Sequence, residues 1–132
     1  MKTAATVATA VFGWLLPGGA YLLARRYLQF VLSLALVCGA TAFGVALQGA
    51  NLWPQAGELQ GLDDFTARVA QAGALGKALA GGPYLAARVS HYSQTYLSGQ
   101  THEYGTTLLT LAGLLNLLAL ADGLQRRKAD RA

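Results

Sequence analysis

The sequence predicts an all-α integral membrane protein with three transmembrane helices, the first short or broken at Pro17-Gly18-Gly19, and two amphipathic helices in an outer loop. Three observations carry that expectation. Hydrophobic residues make up 54% of the chain and charged residues only 12%, about half the charged share of a soluble domain. Two stretches, about 27–47 and 106–124, are apolar over the roughly 20 helical residues that cross a ~30 Å hydrocarbon core. The basic residues are grouped beside apolar runs, as Arg25-Arg26 and as Arg126, Arg127, Lys128 and Arg131. That grouping marks membrane topology, so the formal net charge of +4 does not point to nucleic acid. A length of 132 residues gives a single membrane domain over 1–132, with little room for a separate enzymatic domain.

The first span is expected over about 3–24. Thr3 to Leu16 alone is only about three-quarters of the necessary length. Pro17 removes a backbone donor, and Gly18 and Gly19 open conformations closed to other residues, so the chain can turn there. The freed backbone groups need partners, which places the break at the interface or under other helices. Tyr21 and Tyr27 suit aromatic anchors, and Arg25 and Arg26 the headgroup region. A secretory signal peptide is the competing reading of the start, with Lys2, an apolar core and the small residues Gly18 to Ala20 as a cleavage region.

The second span, about 27–47, carries Ala35/Gly39 and Ala40/Gly44 at small-xxx-small spacing, which lets another backbone approach closely. Gly113 on the third span offers a matching notch; another subunit is the alternative partner. With Arg25-Arg26 cytoplasmic, three spans put the Arg126-Arg127-Lys128 tail on the same side, and the N-terminus and the 48–104 loop outside. The loop itself balances Arg68, Lys77 and Arg88 against Glu58, Asp63, Asp64 and Glu103.

Within the outer segment, about 51–104, Trp53-Pro54 and Gly57 read as a loop. Asp63 or Asp64 can cap a helix in which Leu62, Phe65, Val69, Ala72 and Leu79 recur at helical spacing, and Gly81-Gly82 stops it. Pro83 suits the first turn of a second helix, Pro83 to Leu97, with Leu85, Val89, Tyr92 and Tyr96 on one face. Both helices are expected on the outer membrane surface or capping the spans.

Few residues could carry chemistry. His91, His102 and Glu103 are the only metal-ligand types near one another outside the spans. The histidines are eleven residues apart, so no metal site is expected, and His91 and His102 are weak candidates for touching a cofactor held by a partner. Gly73-Ala-Leu-Gly76-Lys77-Ala78 has the wrong glycine spacing for a phosphate loop, and lacks the Ser/Thr after lysine. Cys38, the single cysteine, reads as a small packing residue. Asn116 lies mid-span, where a lone asparagine bonds a neighbouring helix or lines a path. Asp122 lies near the cytoplasmic end within reach of Arg25 or Arg26, and an interfacial ion pair locking the last helix to the turn is expected. The alternative for Asp122 is a proton-carrying carboxylate.

Pro17-Gly-Gly-Ala-Tyr-Leu-Leu-Ala-Arg-Arg26 resembles the "PGxGHxYLGR" turn of small bacterial membrane proteins related to the two-transmembrane-helix domain family. "HEYGTTLLTLAGLLNLLALADGLQRRK", His102 to Lys128, resembles the last span of an uncharacterised three-helix branch. Tyr21, Leu23 and Ala24 stand where the turn has histidine, tyrosine and glycine, whereas Tyr104-Gly105, Asn116 and Asp122 match. The resemblance implies the topology and a bacterial cytoplasmic (inner) membrane location, and it implies no activity.

The expected function is a non-catalytic accessory or structural subunit packed against a larger membrane complex, with an energy-converting complex among the candidates. Its expected partners are membrane lipids and other integral subunits; no nucleic acid and no cofactor of its own are expected, apart from lipid or a partner-held cofactor at its surface. The alternative is a small homo-oligomeric transporter or channel with a path lined by Asn116 and Asp122.

Overall fold

A computed structural model describes residues 2–47, 49, 53, 60–90 and 100–130, and among them every regular element is a helix. In chain order these are α1 (Lys2–Leu15), α2 (Gly19–Leu23), α3 (Tyr27–Ala46), α4 (Asp64–Ala78), α5 (Gly82–Val89) and α6 (Gln100–Ala129). Two helical segments, Tyr27–Ala46 and Glu103–Ala129, are long and apolar enough to cross a membrane, while Thr3–Leu15 is apolar but shorter.

The expected first span, 3–24, is therefore two helices. At 14 residues, α1 rises only about 21 Å. Its contacts with α6 fix its direction. Thr9 bonds Arg127, a Cβ on Gly13 would touch Leu120, and the Trp14 carbonyl meets Asn116. As α1 advances its partners on α6 recede, so the two helices are antiparallel and α1 begins beside the end of α6. The chain turns at Pro17-Gly18, where Gly18 takes a φ of 78° that other residues adopt only at a cost. α2 then runs back, with Ala20 against Gly123 and the Tyr21 hydroxyl on Asp122. Together α1 and α2 form a hairpin that enters and leaves at one end of the bundle, in place of the single first span expected over 3–24.

Arg25 closes this hairpin in the left-handed region, with a φ of 56°. The Arg26 amide donates to the Tyr21 carbonyl at 2.9 Å and the Arg25 amide to the Leu22 carbonyl at 3.1 Å. Those two bonds are the helix-terminating pair that usually recruits glycine at the Arg25 position. α3 then climbs antiparallel to α6, with Gly44 set against Gly105 and Leu109.

The outer segment also departs from expectation. α4 and α5 do not lie flat across the end of the bundle; they form a second hairpin that descends into it. The Gly76 carbonyl faces Gly113 and the Leu79 carbonyl meets Asn116. Beyond the turn, Gly82 lies against the Leu15 carbonyl. Tyr84 is then buried with Val37, Ala80, Leu109 and Ala112, which are the hydrophobic core. The described part of α5 stops at Val89; the expected continuation to Leu97, with Tyr92 and Tyr96, lies outside the described residues.

α6 is longer than the expected 106–124 at both ends. Thr107 and Thr110 return their hydroxyls to carbonyls four residues back, which lets polar residues continue an apolar helix. At the other end Arg126 pairs with Asp122 one turn earlier at 2.6 Å.

Candidate functional site

The two hairpins meet tip to tip at Asn116. An α-helix leaves its last carbonyls without intrahelical partners, and here α1 and α4 both end inside the bundle. The Asn116 amide nitrogen donates to the Trp14 carbonyl at 3.0 Å and to the Leu79 carbonyl at 2.9 Å. One side chain thus bonds the ends of two helices whose dipoles both turn their negative poles toward it. Because both neighbours are acceptors, the NH2 group must be the one facing them. Asn116 is 1% exposed and its Oδ1 accepts no bond among the described residues. The Trp14 indole nitrogen ties the same junction by donating to the Ala78 carbonyl at 3.1 Å.

Close approach makes this junction possible. A Cβ on Gly81 would lie 1.7 Å from the Trp14 carbonyl oxygen, and one on Gly113 would lie 1.7 Å from the Gly76 carbonyl oxygen. Gly81 also has a φ of 70°. Gly113 therefore serves α4 and not α3, in contrast to the notch-to-notch pairing expected from the sequence.

The small residues of α3 divide into two faces. Gly44 meets α6, and Ala40 packs beside the core. Ala35 is exposed, and no other element among the described residues lies within 4 Å of a Cβ built on Gly39.

Asp122 forms the second polar cluster. Its Oδ2 accepts from the Tyr21 hydroxyl at 2.7 Å and from Arg126 at 2.6 Å. The expected ion pair with Arg25 or Arg26 is replaced by this one, because Arg126 lies one helical turn away on the same helix. The lock between the last helix and the turn is instead the tyrosine hydroxyl, and both Arg25 and Arg26 are exposed. Asn116 and Asp122 do not share a face: six residues turn a helix by about 240° net, and one side chain meets α1 and α4 while the other meets α2.

Glu103 is exposed on α6; the side chain of His102, and all of His91, lie outside the described residues. Asp63 sits at the expected cap of α4, but its carboxylate takes the Thr66 hydroxyl at 2.5 Å in place of a backbone amide. That bond holds its carboxyl below the usual range. Lys77, from the glycine-rich stretch rejected as a phosphate loop, is buried on α4.

Sequence reasoning missed Trp14, Tyr21 as a ligand of Asp122, and Gly81 as an inserted tip. The available signal was the pair of breaks, Pro17-Gly18 and Gly81-Gly82, each after a helix too short to span, the first of them apolar. A family model described as a family of unknown function (DUF6677) matches residues 8–130. No curated protein and no solved structure matches the chain.

Proposed function

Because the chain belongs to the DUF6677 family, whose function is unknown, we propose its role from its own geometry: a non-catalytic integral membrane subunit that packs against other membrane proteins through the outward face of α3. The observation that carries this reading is Gly39. Gly44, Gly81 and Gly113 are filled by neighbouring parts of the chain, whereas Gly39, beside exposed Ala35, meets no other element among the described residues. Leu28, Val31, Leu36 and Phe43 on the same helix are more than half exposed, a surface suited to lipid and to a second helix.

In this reading α3 and α6 span the bacterial cytoplasmic membrane, the two hairpins enter from opposite faces, and the basic end is cytoplasmic. The start of α1 then shares that side with Arg25-Arg26 and the end of α6, which revises the outside placement of the N-terminus. Reporter fusions at the two termini are expected to give the same cytoplasmic signal; opposite signals would require α1 to cross.

The rival reading, a homo-oligomeric path lined by Asn116 and Asp122, needs the two side chains on one open face. The burial of Asn116 between two helix ends supports a packing role for it. Purification from the native membrane in mild detergent, with mass spectrometry of what co-migrates, tests the subunit reading. Stoichiometric recovery with a larger complex is expected, and migration alone or as a homo-oligomer would sink it. Gly39→Leu should abolish that recovery while moving the melting temperature little, since among the described residues no atom outside its own stretch of helix lies within 4 Å of the new Cβ.

A further inference from the structure

Between α3 and α6, on the side facing α2, runs a groove of about 390 Å³, within the roughly 300–1,000 Å³ of small-molecule sites. Its two ends differ in chemistry. Gln29, Tyr21 and Asp122 line one end, and Leu36, Leu115 and Leu118 line the other. The polar end lies beside the basic turn, and the apolar end lies about 10 Å further along α3, by the rise of seven helical residues. This is the polarity of a lipid in one leaflet, head at the basic face and chain toward the middle of the bundle.

The polar end is rich in acceptors. The Gln29 side-chain oxygen is buried and accepts no bond among the described residues. Both recorded bonds to Asp122 fall on Oδ2, so Oδ1 keeps its acceptor capacity, and the Tyr21 hydroxyl has spent its proton on Asp122. Asp122 is already paired with Arg126 through Oδ2, so what the mouth still offers is acceptor capacity, on Asp122 Oδ1 and the Gln29 oxygen, for a group with several N–H donors. Arg25 and Arg26 are exposed at the adjoining turn, where a phosphate would find charge-assisted partners.

Resting on the membrane reading above, we propose that this groove binds a phospholipid whose headgroup carries a primary ammonium, with an acyl chain along Leu36, Leu115 and Leu118 and the ammonium on Gln29 and Asp122. An ethanolamine headgroup has the required N–H donors. Choline has the same charge and none, and glycerol phosphate brings hydroxyl donors but no ammonium to place on Asp122 Oδ1.

The test is native mass spectrometry of the full chain in detergent, titrated with ethanolamine, choline and glycerol phospholipids of identical acyl chains. Ethanolamine lipid should be retained about tenfold more than choline lipid, the size expected for one or two added hydrogen bonds. Gln29→Leu should reduce that preference, and Leu118→Trp, at a position 66% exposed and so tolerant of bulk, should reduce retention of all three. Equal retention of the three headgroups, or a preference for the glycerol headgroup, overturns the ammonium assignment. Retention unchanged in Leu118→Trp overturns the groove. Flotation of the purified protein with vesicles keeps the two readings apart: a chain that fails to float fails the membrane reading itself, and one that floats without headgroup preference fails only this one.

Discussion

Replacing Gly113 with alanine is expected to destabilise the bundle by about 3 kcal/mol, the upper end of what overpacking usually costs. The new methyl would sit 1.7 Å from the Gly76 carbonyl oxygen, and that oxygen is backbone, so no side-chain rotation relieves the clash. α4 would have to withdraw from α6, taking with it the Leu79 carbonyl that Asn116 bonds. Gly81→Ala should cost as much or more, because the same 1.7 Å overlap, there with the Trp14 carbonyl, is joined by a left-handed backbone that disfavours a Cβ by about 1–2 kcal/mol. Thermal unfolding in detergent reads both, with an expected fall of about 10 °C in Tm. Gly73→Ala is the control. Among the described residues no other element lies within 4 Å of its Cβ, and alanine inside a helix is favoured over glycine by up to about 1 kcal/mol. Equal Tm values for the three variants would show that the hairpin does not lie against α6.

Asn116→Leu carries the second large effect. Leucine approximates the volume and supplies no donor, so the Trp14 and Leu79 carbonyls lose the bonds at 3.0 and 2.9 Å that now satisfy them. Orphaned buried carbonyls cost about 1–3 kcal/mol each, but interhelical bonds in membrane proteins average nearer 0.6 kcal/mol. A loss of about 2 kcal/mol is therefore expected. Asn116→Asp should be worse, because a carboxylate would turn acceptors toward two acceptors. Tryptophan fluorescence distinguishes this local failure from global unfolding. Trp14 donates to the Ala78 carbonyl at the junction, and its emission should shift to the red at temperatures where helicity is retained, while exposed Trp53 contributes a constant background. Unchanged emission and Tm in Asn116→Leu would mean that other groups hold the tips.

The elements that were legible in the sequence are those specified by local chemistry. Tyr27–Ala46 was readable as an uninterrupted apolar run of spanning length, and Pro17-Gly18 as a break, since proline and glycine act within one or two residues. The helix beginning at Asp64 was visible in its cap and its apolar spacing. Depth was not legible. An apolar segment too short to cross a bilayer is equally compatible with a broken span and with a half-depth hairpin, and only the ladder Thr9 to Arg127, Gly13 to Leu120 and Trp14 to Asn116 separates the two. Asn116 was identifiable as a packing residue, but its partners lie 102 and 37 residues away in sequence. Arg25 misled for a related reason. A charged residue beside a carboxylate-bearing helix suggests an ion pair, yet its backbone conformation is what the turn uses, and Tyr21 took the contact with Asp122.

The meeting of the hairpin tips at Asn116 also sets a sequence of events in time. In chain order α1 and α2 precede α6, and the side chain that bonds the Trp14 carbonyl arrives 102 residues later. In the membrane reading proposed above, the hairpin until then carries open carbonyls that hydrocarbon cannot solvate, and it stays at the water boundary while α3 inserts. α4 meets the same obstacle at Leu79. In the same reading the arrival of α6 lets both hairpins move to their final depth, so the bundle closes from α6 and the earlier helix α1 is among the last to reach its place.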